Sequence, residues 1–348
     1  MNYSISDIIK YNPYKINKEQ KLKIFKKKIN QLTKYHYKYC KEYKDIINFL
    51  KPNFVNDTYP PFLHSSIFKN INLKTSKNNS ATKIFNSSGT TGSKLSKIHL
   101  DFETSLLQSK ILQILFKNFF NEINFDKLLI VENEKVFNKS KNTARSAAIK
   151  GLIQIIPKHE FLLNNDYTIN KDKLENLKNS KNLVFGFTFM IWQNLINFIK
   201  SNKLKINLSN SFLLHGGGWK KMIDYKVDKL FFKKQIFKYT KIDKIYDYYG
   251  MMEQTGSIYF QCEEGFFHTS IFSDILIRDE NLNIKKFNNH GLIQTLSLLP
   301  KSYPGHNLLT EDIGQIIGED NCKCGRSGKF FEVLGRVKNA ELRGCSNV

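Results

Sequence analysis

Asn182 to Ile199, NLVFGFTFMIWQNLINFI, is a run of eighteen residues without a charge. Its length would suit a bilayer span. Gln193, Asn194 and Asn197, however, recur near helical spacing, which fits a core strand followed by an amphipathic helix. The stretch therefore reads as soluble core, with a strand over Leu183–Phe187 and a helix over Thr188–Ser201. The same alternation extends outward from it. Apolar runs at Lys127–Glu132, Leu152–Pro157, Ser211–Leu214 and Lys244–Tyr249 predict strands, and periodic segments at Glu103–Phe120 and Trp219–Lys233 predict helices. Such alternation predicts an α/β fold with a largely parallel sheet. Further strands at Ile275–Arg278, Leu292–Leu299 and Gln315–Gly318 predict a β-rich final third. Near the start, Leu22, Phe25, Ile29 and Leu32 repeat at three- and four-residue spacing and predict helix within the first fifty residues. Tyr59-Pro60-Pro61 and a polar stretch from Lys74 to Lys83 read as connector.

The chain has 348 residues, 41% of them hydrophobic, with 28 Phe, 16 Tyr and 2 Trp, which excludes disorder for the bulk. Five cysteines, an odd number in so long a chain, exclude a secreted disulfide scaffold and suit a reducing compartment. The first residues, MNYSISDIIKYNPYK, have no apolar core of signal-peptide length, and the expected location is cytoplasmic. Lys and Arg number 54 against 31 Asp and Glu, a net charge of +23, but only five of the basic residues are Arg. Phosphate and base readers favour the bidentate guanidinium, so the lysines read first as solvated surface. A basic face for nucleic acid or anionic lipid is the alternative.

Four segments carry chemistry. Ser87-Ser88-Gly89-Thr90-Thr91-Gly92-Ser93-Lys94 combines two glycines with a run of hydroxyls, a loop whose N–H and O–H groups suit a polyphosphate. It lacks Walker spacing. His215-Gly216-Gly217-Gly218-Trp219 follows an apolar run, and its glycines let a flat ring approach the backbone. Asp247-Tyr248-Tyr249-Gly250-Met251-Met252-Glu253 ends in a carboxylate able to hold magnesium. Thr310-Glu311-Asp312 is followed by Gly335-Arg336-Val337-Lys338, an acid and a guanidinium that suit ribose hydroxyls.

In that order these fragments resemble the adenylate-forming enzymes: acyl-CoA synthetases, adenylation domains and luciferases. Closer still, the chain resembles the LuxE family of acyl-protein synthetases. The similarity runs from Asn12-Pro13-Tyr14 and the Leu32-Thr33, His36, Cys40, Tyr43 pattern, through His215–Lys221, to Glu341-Leu342-Arg343-Gly344-Cys345. It implies an adenylate-forming large domain with mixed or parallel sheets and a β-rich C-terminal part, without the usual small C-terminal domain. An N-terminal helical segment and connector (1–73) would pack on an ATP-binding adenylation domain (74–335), ahead of a short tail (336–348).

The resemblance also implies roles. Ser88, Gly89, Thr90, Thr91 and Gly92 would hold ATP phosphates. Gly216, Gly217, Gly218, Tyr248, Tyr249 and Gly250 would flank the adenine. Glu253 would hold Mg2+, Asp312 the ribose, and Arg336 would stand at the hinge near it. Phe185, Phe187, Phe189 and Trp192 could wall an acyl pocket, with core packing as the alternative. Larger relatives bring a lysine from their small domain to the reacting carboxylate. Only twelve residues follow Arg336 here, leaving Lys338, Lys220 or another local cation for that task. Cys345 would carry the acyl group as a thioester. The expected activity is MgATP-dependent activation of a fatty carboxylic acid, then transfer to that thiol and on to an acyl-CoA-reductase-like partner. An acyl- or aryl-CoA ligase is the first rival, and a non-catalytic nucleic-acid-binding protein the second.

Cys322-Lys323-Cys324, with Cys262 and His268 some sixty residues earlier, supplies four ligands, enough for a closed tetrahedral zinc site. The alternative is structural thiols in a β-turn.

Overall fold

A computed structural model describes residues 5–50, 59–75, 82–87, 95–137, 143–175, 177, 180–218, 222, 225 and 227–337. They fall into two compact units. The first comprises residues up to Ser87, a segment ending at Asn121, and the chain from Gly250 onward; the second is Glu122–Tyr249.

After a single helical turn at Ile5–Ile8, the first unit has helix α1 (Lys18–Tyr39) and helix α2 (Lys41–Leu50). Asn17 starts α1 by accepting from the Gln20 N–H at 3.0 Å, satisfying one donor the first turn leaves open. Ile24, Phe25, Ile29, Leu32 and His36 form its buried stripe; Phe25, Ile29 and Leu32 keep the expected spacing, whereas Leu22 is exposed. Strand β1 (Leu63–His64) and a hairpin of β2 (Thr82–Asn86) with β3 (Lys97–Asp101) lead into helix α3 (Phe102–Phe119). The hairpin falls partly within the polar stretch read as connector, where alternation is too weak to signal a strand.

The second unit runs β4 (Lys127–Asn133), α4 (Ala144–Ile155), β5 (His159–Leu163), β6 (Asn182–Phe187), a helical segment α5, β7 (Phe212–Gly216), α6 (Lys229–Thr240) and β8 (Lys244–Tyr249). The strands pair in parallel in the order β5-β4-β6-β7-β8. Thus the predicted parallel α/β sheet is present. Segment α5 consists of Thr188–Met190, a π-helical turn Ile191–Ile196, and Asn197–Ser201. Its Met190, Ile191, Leu195 and Ile199 pack with Leu129, Val131, Val184 and Leu213 of the strands and Phe232 and Ile236 of α6. Each such side chain contributes roughly 1.5–3 kcal/mol on burial.

One local expectation fails in this unit. Leu152–Pro157 is not a strand, because Thr143 starts a helix upstream. The Ser146 N–H donates to Thr143 Oγ1, and the Thr143 N–H to Ser146 Oγ, both at 3.1 Å, a reciprocal cap that carries the helix through Leu152 despite its β-branched run. Of the helix expected over Trp219–Lys233, Met222 and Lys229–Lys233 are helical and most of 219–226 lies outside the described residues; the helix that Asp228 caps, by accepting from the Phe231 N–H at 2.7 Å, runs on to Thr240.

Back in the first unit, short strands β9 (Tyr259–Phe260) and β10 (Phe267–His268) precede β11 (Ser273–Arg278), β12 (Gly291–Ser297), β13 (Asn307–Glu319) and β14 (Lys329–Arg336). Strands β10 to β14 form the sheet of the β-rich final third, in antiparallel order β10-β14-β13-β12-β11, with β1 added in parallel to β13. Strand β13 is far longer than the Gln315–Gly318 predicted, since its first half is buried and does not alternate. Lys21 of α1 reaches the sheet, donating to Thr269 Oγ1 at 2.9 Å beside Asp274, which also pairs with Lys329 at 3.0 Å. Burial alone would raise the Asp274 pKa, but the two ammonium groups hold it below the ordinary value. Among the described residues no helix is long and apolar enough to cross a membrane.

Candidate functional site

Parallel pairing aligns the C-terminal ends of three strands in the second unit. Phe187, Gly216 and Tyr248 are register partners across β6, β7 and β8, as are Gly186, His215 and Asp247 one residue earlier. The carboxyl edge of such a sheet is where α/β folds receive ligands. Two of the glycines here have specific steric reasons. A Cβ on Gly216 would lie 2.4 Å from Tyr248 Cε1. Gly217 has φ +92°, and a Cβ on it would lie 2.6 Å from the Phe187 ring. Tyr248 in turn stacks on Phe185 with centroids 6.1 Å apart.

A side chain that the sequence did not single out fixes this edge. Thr188, the residue after β6, lies 3.1 Å from the Gly216 carbonyl oxygen and 3.0 Å from His215 Nδ1. The carbonyl only accepts, so the Thr188 hydroxyl donates to it and receives the His215 Nδ1–H. Burial, aided by Lys233 and Lys229, pushes His215 down to about 3, so the ring is neutral. Arg145 and Glu132 form a second unanticipated pair: buried partners in an ion pair, with the guanidinium 5.6 Å from the Phe187 ring centre. The available signal was the rarity of Arg in a lysine-rich chain. Phe185 and Phe187 are buried, while Phe189 and Trp192 are partly buried against the same core.

In the first unit, Gly250 and Met251 lead into a single 3-10 turn, Met252–Gln254, that buries Glu253. Gln254 anchors the turn by donating to the Thr295 and Gly305 carbonyls at 3.1 and 2.9 Å. Asp312 of β13 and Arg336 of β14 are cross-strand partners, with Arg336 Nε 3.1 Å from Asp312 Oδ1 and Nη2 2.5 Å from Glu311 Oε2. The acid and guanidinium read from sequence as two ribose contacts are therefore already ion-paired with each other.

Cys262, His268, Cys322 and Cys324 converge, their ligand atoms all within 4.8 Å of one another. Pairing of β10 with β14 brings the segments together. Cys262 Sγ is 3.9 Å from Cys322 Sγ, and Cys324 Sγ 3.3 Å from His268 Nε2. Zn–S bonds of about 2.3 Å set tetrahedral edges near 3.8 Å, somewhat shorter to a nitrogen. The donor set and its spacing thus fit zinc. Burial pushes Cys262 up to about 12 and His268 down to about 4. Ser88–Gly92, Lys220, Lys338 and Cys345 lie outside the described residues.

The acyl-protein synthetase, LuxE, sequence pattern matches residues 2–348. The chain belongs to that family. No curated protein matches this LuxE-family chain by sequence. Among solved structures, an open conformation of 2-hydroxyisobutyryl-CoA ligase with 2-HIB-AMP and CoA is similar at TM-score 0.72 and 11% identity, over 94% of this chain and 72% of that one. The same ligase in a postadenylation state with R3-HIB-AMP gives 0.72 at 13% identity, over 93% and 69%. In the thioesterification state the values are 0.72 and 12%, over 95% and 71%. This LuxE-family protein therefore has the fold of the adenylate-forming ligases, as its motif order predicted.

Proposed function

We propose that this LuxE-family ligase activates a fatty acid with ATP and passes the acyl group to its own Cys345. The observation that carries the reading is the carboxyl edge of the parallel sheet, where the Tyr248 ring packs on Gly216 and Gly218 has open space where a Cβ would lie, an aromatic ledge suited to an adenine ring. Ser88, Gly89, Thr90, Thr91 and Gly92 would supply N–H and O–H donors to the phosphates, while Tyr249 and Gly250 complete the adenine wall. Asp312, steered by Arg336, would accept from the ribose hydroxyls. Glu253 would hold Mg2+, which when bound neutralises phosphate charge.

A carboxylate oxygen of the substrate attacks the α-phosphorus, and pyrophosphate leaves. The Cys345 thiolate then attacks the activated carbonyl and AMP leaves, giving a thioester. Lys338 or Lys220 would stabilise the carboxylate in place of the small-domain lysine. Phe185, Phe187, Phe189 and Trp192 would exclude water from the acyl chain. We assign Cys262, His268, Cys322 and Cys324 to a structural zinc. A cytoplasmic location and an acyl-CoA-reductase-like acceptor for the thioester complete the reading.

The test has two arms. Acid-dependent ATP–pyrophosphate exchange separates a ligase from a binding protein. In the second arm, Cys345→Ser keeps exchange but loses hydroxylamine-sensitive labelling by a radioactive fatty acid. A mutant that still acquires the label, or a wild type that never does while acylating coenzyme A, makes the chain an ordinary ligase.

A further inference from the structure

Helix α6 is amphipathic in an unusual way. Phe232, Ile236 and Thr240 form its buried stripe. The opposite face should be polar in a helix that only borders solvent. Instead Leu230 is 64% and Phe237 52% exposed, with Phe231 beside them at 43%. Residues 230, 234, 237, 238 and 241 follow i, i+4, i+7, i+8 and i+11 spacing, so Leu230 and Phe237 share one stripe with Lys234, Lys238 and Lys241. The Lys241 ammonium stands 5.7 Å from the Phe237 ring centre. From Lys229 to Lys241 the sequence carries five lysines and no acid.

Large apolar side chains set among lysines, with no carboxylate between them, match the chemistry of a lipid headgroup boundary: rings and Leu enter the acyl edge while ammonium groups meet phosphates. A soluble protein partner for such a strongly basic stripe would need its own acidic apolar surface. An anionic bilayer offers both properties at once. Long lysine stems also allow the charged ends to remain at headgroup level while apolar neighbours go deeper.

We infer that the Leu230–Phe237 face of α6 docks the protein on anionic membrane surfaces. The inference goes beyond the ligase reading and needs no acyl chemistry. Behind this face, Phe231 stands 6.0 Å and Phe232 6.3 Å from Trp192, ring centre to ring centre, so the docked surface leads toward the α5 aromatics.

Vesicle co-sedimentation without ATP or acid tests it, using phosphatidylcholine vesicles with and without phosphatidylglycerol. Net positive charge alone attracts such vesicles, so the decisive variant is charge-neutral. Leu230→Ser with Phe237→Ser should weaken binding to the anionic vesicles by at least about tenfold. Lys234→Glu with Lys238→Glu should weaken it more than the equal charge change Lys110→Glu with Lys286→Glu on the first unit. Because the substituted side chains are exposed, circular dichroism should show both variants folded. Wild type that stays in the supernatant overturns the inference, as does a serine variant that binds like wild type or a pair of lysine variants with equal losses. A self-association that the serine variant disperses, without vesicle binding, assigns the face to a second copy instead and also overturns it.

Discussion

Tyr248 lies directly against the backbone of Gly216, so closely that a Cβ there would fall within 2.4 to 2.7 Å of three ring atoms. The two residues are 32 positions apart, yet one parallel register makes them partners at the end of the sheet. Gly216→Ala must move the ring off Phe185 or shift β7, and overpacking of this kind costs about 1–3 kcal/mol. A lower melting temperature and at least about a tenfold loss of pyrophosphate exchange are expected. Gly218→Ala meets open space but retains φ +83°, so its cost should be only about 1–2 kcal/mol of backbone strain. Equal behaviour of the two alanines would show that contact with Tyr248 is unimportant.

Glu253→Gln and Asp312→Ala should each reduce exchange at least about tenfold, roughly 1.4 kcal/mol of transition-state stabilisation. Asp312→Ala also removes an Arg336 partner, so Arg336→Lys serves as a companion: it keeps the charge but loses the paired donors that reach Glu311 and Asp312. Exchange unchanged in both acidic variants would remove these residues from the nucleotide site.

Among the buried histidines, His36, His215 and His306 make stability most strongly pH-dependent. His36 accepts or donates at Thr75 Oγ1 (2.8 Å) and receives no charged partner in exchange for lost water; burial first, then His306, holds it well below 6.5. Burial likewise brings His306 and His215 to about 3. An unfolded histidine takes up its proton near 6.5. Below that value the unfolded chain therefore binds more protons than the native one, and stability falls as pH drops from 6.5 toward 3. Above 6.5 the contribution is complete and constant. The limiting slope is about 1.4 kcal/mol per pH unit per histidine. Thermal melts between pH 8 and pH 5 should show a plateau and then a decline, shallower in His36→Gln. A flat profile would contradict neutral burial.

Metal analysis of protein purified anaerobically should find close to one zinc per chain. Cys262→Ser and Cys324→Ser should each lower that content and the melting temperature, as should chelation of the wild type. Full-length protein that is folded and zinc-free would end the assignment.

How much was legible in the sequence depended on range. Lys127–Glu132 and Leu183–Phe187 were readable as strands because buried parallel strands are continuous apolar runs, and Lys244–Tyr249 because its Ile and three Tyr favour a strand. Helix α1 was readable because its buried stripe repeats with the helical period. Leu152–Pro157 was not, since a reciprocal cap at Thr143 and Ser146 outweighed the β-preference of the isoleucines after it.

The sequence by itself determined the residue types: the three glycines after His215, the acid of Asp312, and thiols at 262, 322 and 324 beside His268. Only the tertiary structure decided their company. Thr188 meets His215 and the Gly216 carbonyl because β6 and β7 share a register. The Cys322–Cys324 turn meets His268 because β10 pairs with β14, with His268 opposite Phe330. Local patterns report which face of an element is buried, since that depends on near neighbours along the chain. Strand pairing is a long-range choice made by backbone hydrogen bonds common to every residue, so it leaves little mark on side-chain spacing.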